Sequence, residues 1–443
     1  MNRTVKKFSY IITVSVCAVL LVAFILWWRE TSCGAVPRLA ALLSAGLFAA
    51  AAVRIISHAL NTFPPEEAQE VEAEEPRCFM LRIFVFGLAV DLAWLVLVFL
   101  LRRLFGYSGS LEFWEGLDSG HYLDIAEDWY LSEGDWDRLV QLVFLPGFPL
   151  VVRLAAKVVG STLYAGLIVS ALSFAASLCV LYRLLSLDYP RARVEKMLKY
   201  FCLAPGGFFF AAPMSESLFL LLAAACLYCA RRGRWFVGCL LGGAAAFTRS
   251  VGLTLLAPLL IEALYSLAST RPSPRKGVCR LAALLLVPLG FAAYCLINYQ
   301  VSGNAFQFLI YQKQHWGQSL GWFFNTAAYQ TQYALDTLFS NPKNFWGLWL
   351  PNLVCSFAAL AVMLCAARRV RGSYALWFLG YYVIAIGATW LLSAPRYLLV
   401  LFPLYIGLGE LTKSEKADRA ATLTLALLSL LYTCAFALRW QVW

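Results

Sequence analysis

Trp114-Glu-Gly-Leu-Asp118-Ser-Gly-His121-Tyr-Leu-Asp124-Ile-Ala-Glu127, continuing through Asp128 and Asp137 to Phe144-Leu-Pro-Gly-Phe-Pro-Leu150, is the stretch around which the chain is read. Between Gly106 and Asp137 it carries nine acidic side chains and no basic one, together with His121, one of three histidines. On both sides lie apolar runs long enough to cross a bilayer, which takes about 20 residues of helix. That contrast decides the fold class: an all-α, polytopic membrane protein that gathers ionisable groups in one early loop.

Composition agrees. The 443 residues are 61% hydrophobic and 14% charged, whereas a soluble domain is nearer half apolar and a quarter charged. The net charge of +11 does not point to nucleic acid, because Lys and Arg lie in short clusters between apolar runs, as topology signals do. Most of the thirteen cysteines sit inside apolar segments, where Cys behaves as a small hydrophobe. Cys226 and Cys229 have CxxC spacing, but within an apolar run they read as neighbours on one helix face. Tyr10 to Trp28 is long enough to remain as a spanning helix, so no cleaved signal is required.

Hydropathy predicts thirteen spans, at 10–28, 36–57, 79–101, 161–187, 198–212, 215–230, 235–247, 251–268, 281–300, 345–367, 374–392, 397–411 and 420–439, of which the fifth, seventh and twelfth are short enough to be half-helices. Residues 139–158 are apolar but broken by Pro146, Gly147 and Pro149, which predicts a re-entrant or interfacial helix. Arg3, Lys6 and Lys7 place the N-terminus in the cytoplasm. Alternation then puts 22 of the 36 Lys and Arg residues inside and 12 outside, the asymmetry that a correct topology shows. Four regions follow: a two-span segment at 1–63; an acidic, solvated cytoplasmic linker at 64–77; a catalytic membrane core at 78–411 with outer loops 102–160 and 301–344; and a last span within 412–443. Loop 102–160, the turn Pro213-Met-Ser-Glu216, Thr248-Arg249, loop 301–344 and Ser393-Ala-Pro-Arg396 all fall on the outer or lumenal face.

Asp118, His121, Asp124 and Glu127 recur every three residues, so a helix would bring them onto one stripe. That is either a general-base site or a solvated acidic helix. Glu216 opens a span just after Pro213; an ionisable group there is functional or favoured by the helix macrodipole. Arg249 and Arg396 stand alone at the outer ends of short spans, where positive charge is depleted. Arg offers phosphate a planar fork of donors, and the alternative is snorkelling to head groups. The aromatic side chains of loop 301–344 suit either sugar faces or a membrane-interface belt. The sequence holds no Walker motif, nucleophile elbow or zinc-ligand spacing.

Four segments resemble, in order, the PIG-V family, the second mannosyltransferase of glycosylphosphatidylinositol-anchor assembly, together with its bacterial relatives. They are Asp118–Glu127 running on to Phe144–Leu150; Leu203-Ala-Pro with Pro213-Met-Ser-Glu-Ser-Leu-Phe219; Ala246-Phe-Thr-Arg-Ser-Val-Gly252; and Ala394-Pro-Arg-Tyr-Leu398. The resemblance implies a GT-C-type bundle with a large first outer loop that carries the catalytic acid, matched here by Asp118. Leu117 stands where the family has Trp, Gly120 where it can carry an acid, and Asp124 where it can be apolar.

Residues and resemblance together lead to an expected activity: transfer of a hexose, mannose by the resemblance, from a polyprenyl- or dolichyl-phosphate donor to a lipid-linked or cell-envelope glycan acceptor, with inversion. Asp118 is the expected base; His121, Glu127, Glu216, Arg249 and Arg396 are the expected substrate-binding residues, the two arginines on the donor phosphate. No metal, no cofactor and no nucleic-acid partner is expected. The expected location is a bacterial plasma membrane, or the endoplasmic reticulum in a eukaryote. The competing class is a transporter or flippase for an anionic lipid or solute. It predicts repeated halves and mid-membrane charge, of which Asp91 and Arg54 are the main examples here.

Overall fold

The structure is a computed structural model that describes residues 3–62 and 77–442. Apart from one isolated bridge between Leu320 and Ala388, all regular structure among the described residues is helical. Lipid offers no partner for backbone polar groups, and a helix satisfies them within each segment. Eight helices among the described residues are long and apolar enough to cross a membrane: Tyr10–Glu30, Ala35–Asn61, Cys78–Leu104, Thr162–Leu185, Ser250–Thr270, Pro274–Ser302, Pro342–Ala366 and Glu415–Ala437. Leu21, Val85, Leu289 and Leu423 are among the apolar side chains that these helices leave more than half exposed. The chain is a multi-pass membrane protein.

The thirteen expected spans are not all continuous, and each difference has a local cause. The 198–212 run is not one helix. Arg191–Cys202 ends before Pro205, Gly206 takes φ +88°, and the chain resumes as the short turn Gly207–Phe210. The 397–411 run divides into Ala394–Leu399 and Phe402–Leu411, since Pro403 has no N–H for the carbonyl four residues back and is tolerated only in the first turn of a helix. Glu216–Arg231 and Trp235–Thr248 have only 16 and 14 residues. Trp136–Val143 and Gly147–Val159 meet at 112°, a bend at Pro146 where the apolar run is interrupted. The expected linker at 64–77 lies, except for Arg77, outside the described residues.

The chain divides into two compact units, which among the described residues comprise 3–62, 199–206 and 319–442, and 77–198 and 207–318. In the first, Ala35–Asn61 packs against Arg3–Glu30, Phe323–Thr337, Leu350–Ala366 and Gly372–Ile386. Phe48 meets Phe323 with ring centroids 4.4 Å apart, and Trp27 Nε1 donates to Asn325 Oδ1 at 2.8 Å. In the second, Thr162–Leu185 and Glu216–Arg231 form the centre, joined by Arg77–Leu104 and Trp235–Thr248. Small residues permit the contact, as is common between helices in membranes: a Cβ on Gly87 would lie 2.7 Å from Ala175 Cα.

An ion-pair network holds one end of this second unit. Arg231, 5% exposed, reaches both oxygens of Asp188 at 2.5 and 3.0 Å, and its Nε lies 3.9 Å from Glu262. Glu216 begins the helix that Arg231 ends, roughly 22 Å away at 1.5 Å per residue. At that far end the acidic loop meets the bundle.

Candidate active site

The helix Asp118–Asp128 carries the acidic stripe and packs on Gly147–Val159, on Thr162–Leu185 and on the turn Leu111–Glu115. It is flanked by two non-glycine residues with positive φ: Leu117 at φ 59°, ψ −143° and Trp129 at φ 67°, ψ −168°. Side chains other than glycine avoid this region at a cost of about 1–3 kcal/mol each, and it persists only where surrounding contacts hold it. Asp118 follows the strained Leu117 directly and is partly exposed. It sits in the first turn of the helix, the end at which the macrodipole favours negative charge.

The contacts that hold this helix come from other segments of the sequence. Tyr122 Oη and Ser215 Oγ share a buried hydrogen bond of 3.1 Å. The Tyr122 ring is gripped edge-on by Phe144 and Phe148, at 5.3 and 5.6 Å between centroids. His121 lies face to face on Phe144 at 4.6 Å. Gln141 Nε2 donates to Asp124 Oδ2 at 3.2 Å, and Arg138 reaches Asp128 at 3.1 Å and Asp124 at 3.8 Å. Tyr130 Oη donates to the Phe144 carbonyl at 2.6 Å, and burial pushes this phenol well above its ordinary pKa, keeping it a donor.

Arg249 reaches the same place from the end of Trp235–Thr248. Its Nη1 donates to Ser215 Oγ at 3.1 Å and forms an ion pair with Glu216. The two side chains are 10% and 0% exposed. Two glycines of the quoted segments are required by close approach. A Cβ on Gly147 would lie 2.7 Å from Thr248 Cα, and one on Gly252 would lie 2.6 Å from Ala246 Cα. A third, Gly166, lets Pro213 and Leu123 close over it: its Cβ would be 2.7 Å from Pro213 Cβ and 3.1 Å from Leu123 Cδ2. Segments at 118–127, 144–150, 213–219 and 246–252 therefore meet within one unit.

The expected site residues fall as follows. Glu216 and Arg249 are in direct contact, and Ser215 joins them to the Asp118 helix through Tyr122. His121 is one turn beyond Asp118 and rests on Phe144. Glu127 is exposed at the opposite end of the helix from Asp118, roughly 13 Å along the axis at 1.5 Å per residue. Arg396 belongs to the other unit, where it is 4% exposed in Ala394–Leu399. There the preceding loop is pinned: Leu391 N–H donates to Tyr329 Oη at 2.6 Å, Gln330 Nε2 donates to the Leu391 carbonyl at 3.1 Å, and Ala394 N–H donates to Asn352 Oδ1 at 2.8 Å. Tyr122 and Ser215 were missed from the sequence. The available signal was their presence inside the two family-like segments, one residue beyond His121 and one before Glu216.

Among the described residues no group of three or more His, Cys, Asp or Glu side chains is arranged to hold a metal ion. Residues 100–315 match the family model described as Mannosyltransferase (PIG-V), so the resemblance to that family holds across the segment that carries this cluster. No curated protein matches the chain. Among solved structures, the crystal structure of ArnT from Cupriavidus metallidurans bound to undecaprenyl phosphate matches at 14% identity and a TM-score of 0.46, over 81% of this chain and 75% of that one.

Proposed function

From the premise that residues 100–315 are a membrane-glycosyltransferase segment of the PIG-V type, we propose that the protein transfers mannose from a polyprenyl- or dolichyl-phosphate donor to a glycolipid or cell-envelope glycan. The supporting observation is the meeting of an Asp-led helix with an arginine held by Glu216 and Ser215 inside the matched segment. The Asp118 carboxylate takes the proton of an acceptor hydroxyl as that oxygen attacks the anomeric carbon. The bond from that carbon to the phosphate oxygen breaks, and polyprenyl monophosphate leaves from the opposite face, so the anomeric centre inverts.

Arg249 answers the charge that grows on the leaving phosphate. A cation fixed in advance costs no reorganisation when the bond breaks, which makes preorganised groups effective in water-poor sites. Glu216 and Ser215 supply that fixity. A general base contributes about 100- to 10,000-fold in rate, so Asp118→Asn is expected to lose turnover on that scale.

The test is incubation of purified protein with radiolabelled polyprenyl-phosphate mannose and a total lipid extract. Label is expected in a new glycolipid with wild type and not with Asp118→Asn. Near-normal transfer by Asp118→Asn, at equal folded yield, refutes the assignment of the base. Absence of any transfer by wild type refutes the mannosyl donor.

A further inference from the structure

We infer that Tyr122 and Ser215 are positioning residues that set the separation between the base on the Asp118 helix and the phosphate-facing Arg249. The inference rests on the roles just proposed for Asp118 and Arg249. It goes beyond them by assigning the link between the two to a single hydroxyl oxygen.

Ser215 is the residue before the first turn of Glu216–Arg231, a position where serine ordinarily caps a backbone N–H. It makes no capping bond here. Such a cap stabilises a helix by about 1 kcal/mol, and Ser215 directs its oxygen elsewhere. Its Oγ meets Tyr122 Oη at 3.1 Å on one side and Arg249 Nη1 at 3.1 Å on the other. Ser215 is 0% exposed and Tyr122 7%, so water does not compete for these bonds. Arg249 donates, and the serine and tyrosine hydroxyls divide the remaining donor and acceptor roles between them.

Tyr122 lies one helical turn beyond Asp118, and Phe144 and Phe148 hold its ring. Movement of the helix along its axis or about it therefore has to break the bond to Ser215.

Inverting transfer gives such a link a purpose. Nucleophile and leaving group sit on opposite faces of the sugar, so the base and the phosphate ligand must stay a fixed distance apart. A displacement of about 1 Å costs roughly 100-fold in such reactions. An arrangement in which both ends bear on one oxygen fixes that distance directly, whereas two independently anchored groups would each drift.

The experiment compares Tyr122→Phe, Ser215→Ala, the double variant and Asp118→Asn, with radiolabelled polyprenyl-phosphate mannose as the varied donor and turnover normalised to folded protein. Tyr122→Phe preserves ring packing and removes only the hydroxyl. Its kcat is expected to fall about 10- to 100-fold, with the donor KM nearly unchanged because Arg249 keeps Ser215 and Glu216. Ser215→Ala is expected to lower kcat similarly and to raise the donor KM, since Arg249 loses one of its acceptors. The double variant is expected to be no worse than Ser215→Ala, because both changes act through one oxygen. A purely structural role would lower folded yield and leave kcat per folded molecule unchanged, and that outcome overturns the inference. With Asp118→Asn inactive, wild-type kcat in Tyr122→Phe overturns the link and leaves the assigned base standing. Near-normal turnover in Asp118→Asn overturns both.

Discussion

The Arg249–Glu216 pair permits a test that separates stability from catalysis. The guanidinium is 10% exposed and the carboxylate 0%, so neither charge can turn to water if its partner is removed. Breaking a buried pair from one side costs about 3–5 kcal/mol, because it strands the other charge. Glu216→Leu and Arg249→Met, taken singly, are each expected to destabilise on that scale. If the two effects were independent, the double variant would lose roughly 6–10 kcal/mol, the additive sum. If each side chain is costly chiefly because the other remains, the double variant recovers most of the loss, since apolar replacement of a whole buried pair is often near neutral. The assay is equilibrium unfolding in mixed micelles of rising SDS content for all four proteins. The recovered double variant should still transfer no mannose, because Arg249 is gone. A double variant as unstable as the sum of the singles refutes the pairing argument, and one that is stable and active refutes the role of Arg249.

Leu117→Gly removes the positive-φ strain and is expected to raise stability by about 1 kcal/mol, toward the lower end of such costs, while lowering kcat by loosening the start of the Asp118 helix; an unchanged melting midpoint with unchanged kcat counts against strain at this site. Arg231→Lys is expected to destabilise nearly as much as Arg231→Ala, about 3–5 kcal/mol, because an ammonium cannot replace the two-pronged contact with Asp188; a stable lysine variant in the same SDS titration overturns this. Single cysteines at Glu133 and at Arg232, introduced into a chain lacking exposed thiols, are expected to react with impermeant maleimide from opposite sides of the membrane, and labelling from one side refutes the orientation inferred from the Lys and Arg asymmetry.

The helical, many-span class was legible in the sequence because it depends on local quantities: apolar run length and the positions of proline and charge. The sharp bend at Pro146 follows from Pro146-Gly-Phe-Pro149 in the same way. The stripe of Asp118, His121, Asp124 and Glu127 was also legible as a face, and those residues do form one helix. Spacing alone did not give distances along that face, where Glu127 lies at the opposite end of the helix from Asp118.

The tertiary structure decided how distant segments combine. Tyr122 and Ser215 are 93 positions apart, and Glu216 and Arg249 are 33 apart; their contact depends on how three helices cross. Nothing local in Ser215-Glu216 distinguishes a capped helix start from one whose serine turns to a tyrosine and an arginine. Hydropathy measures transfer of each residue from water to lipid, which is additive along the chain. The ion pair and the shared hydroxyl depend on distances between side chains, and only packing sets those.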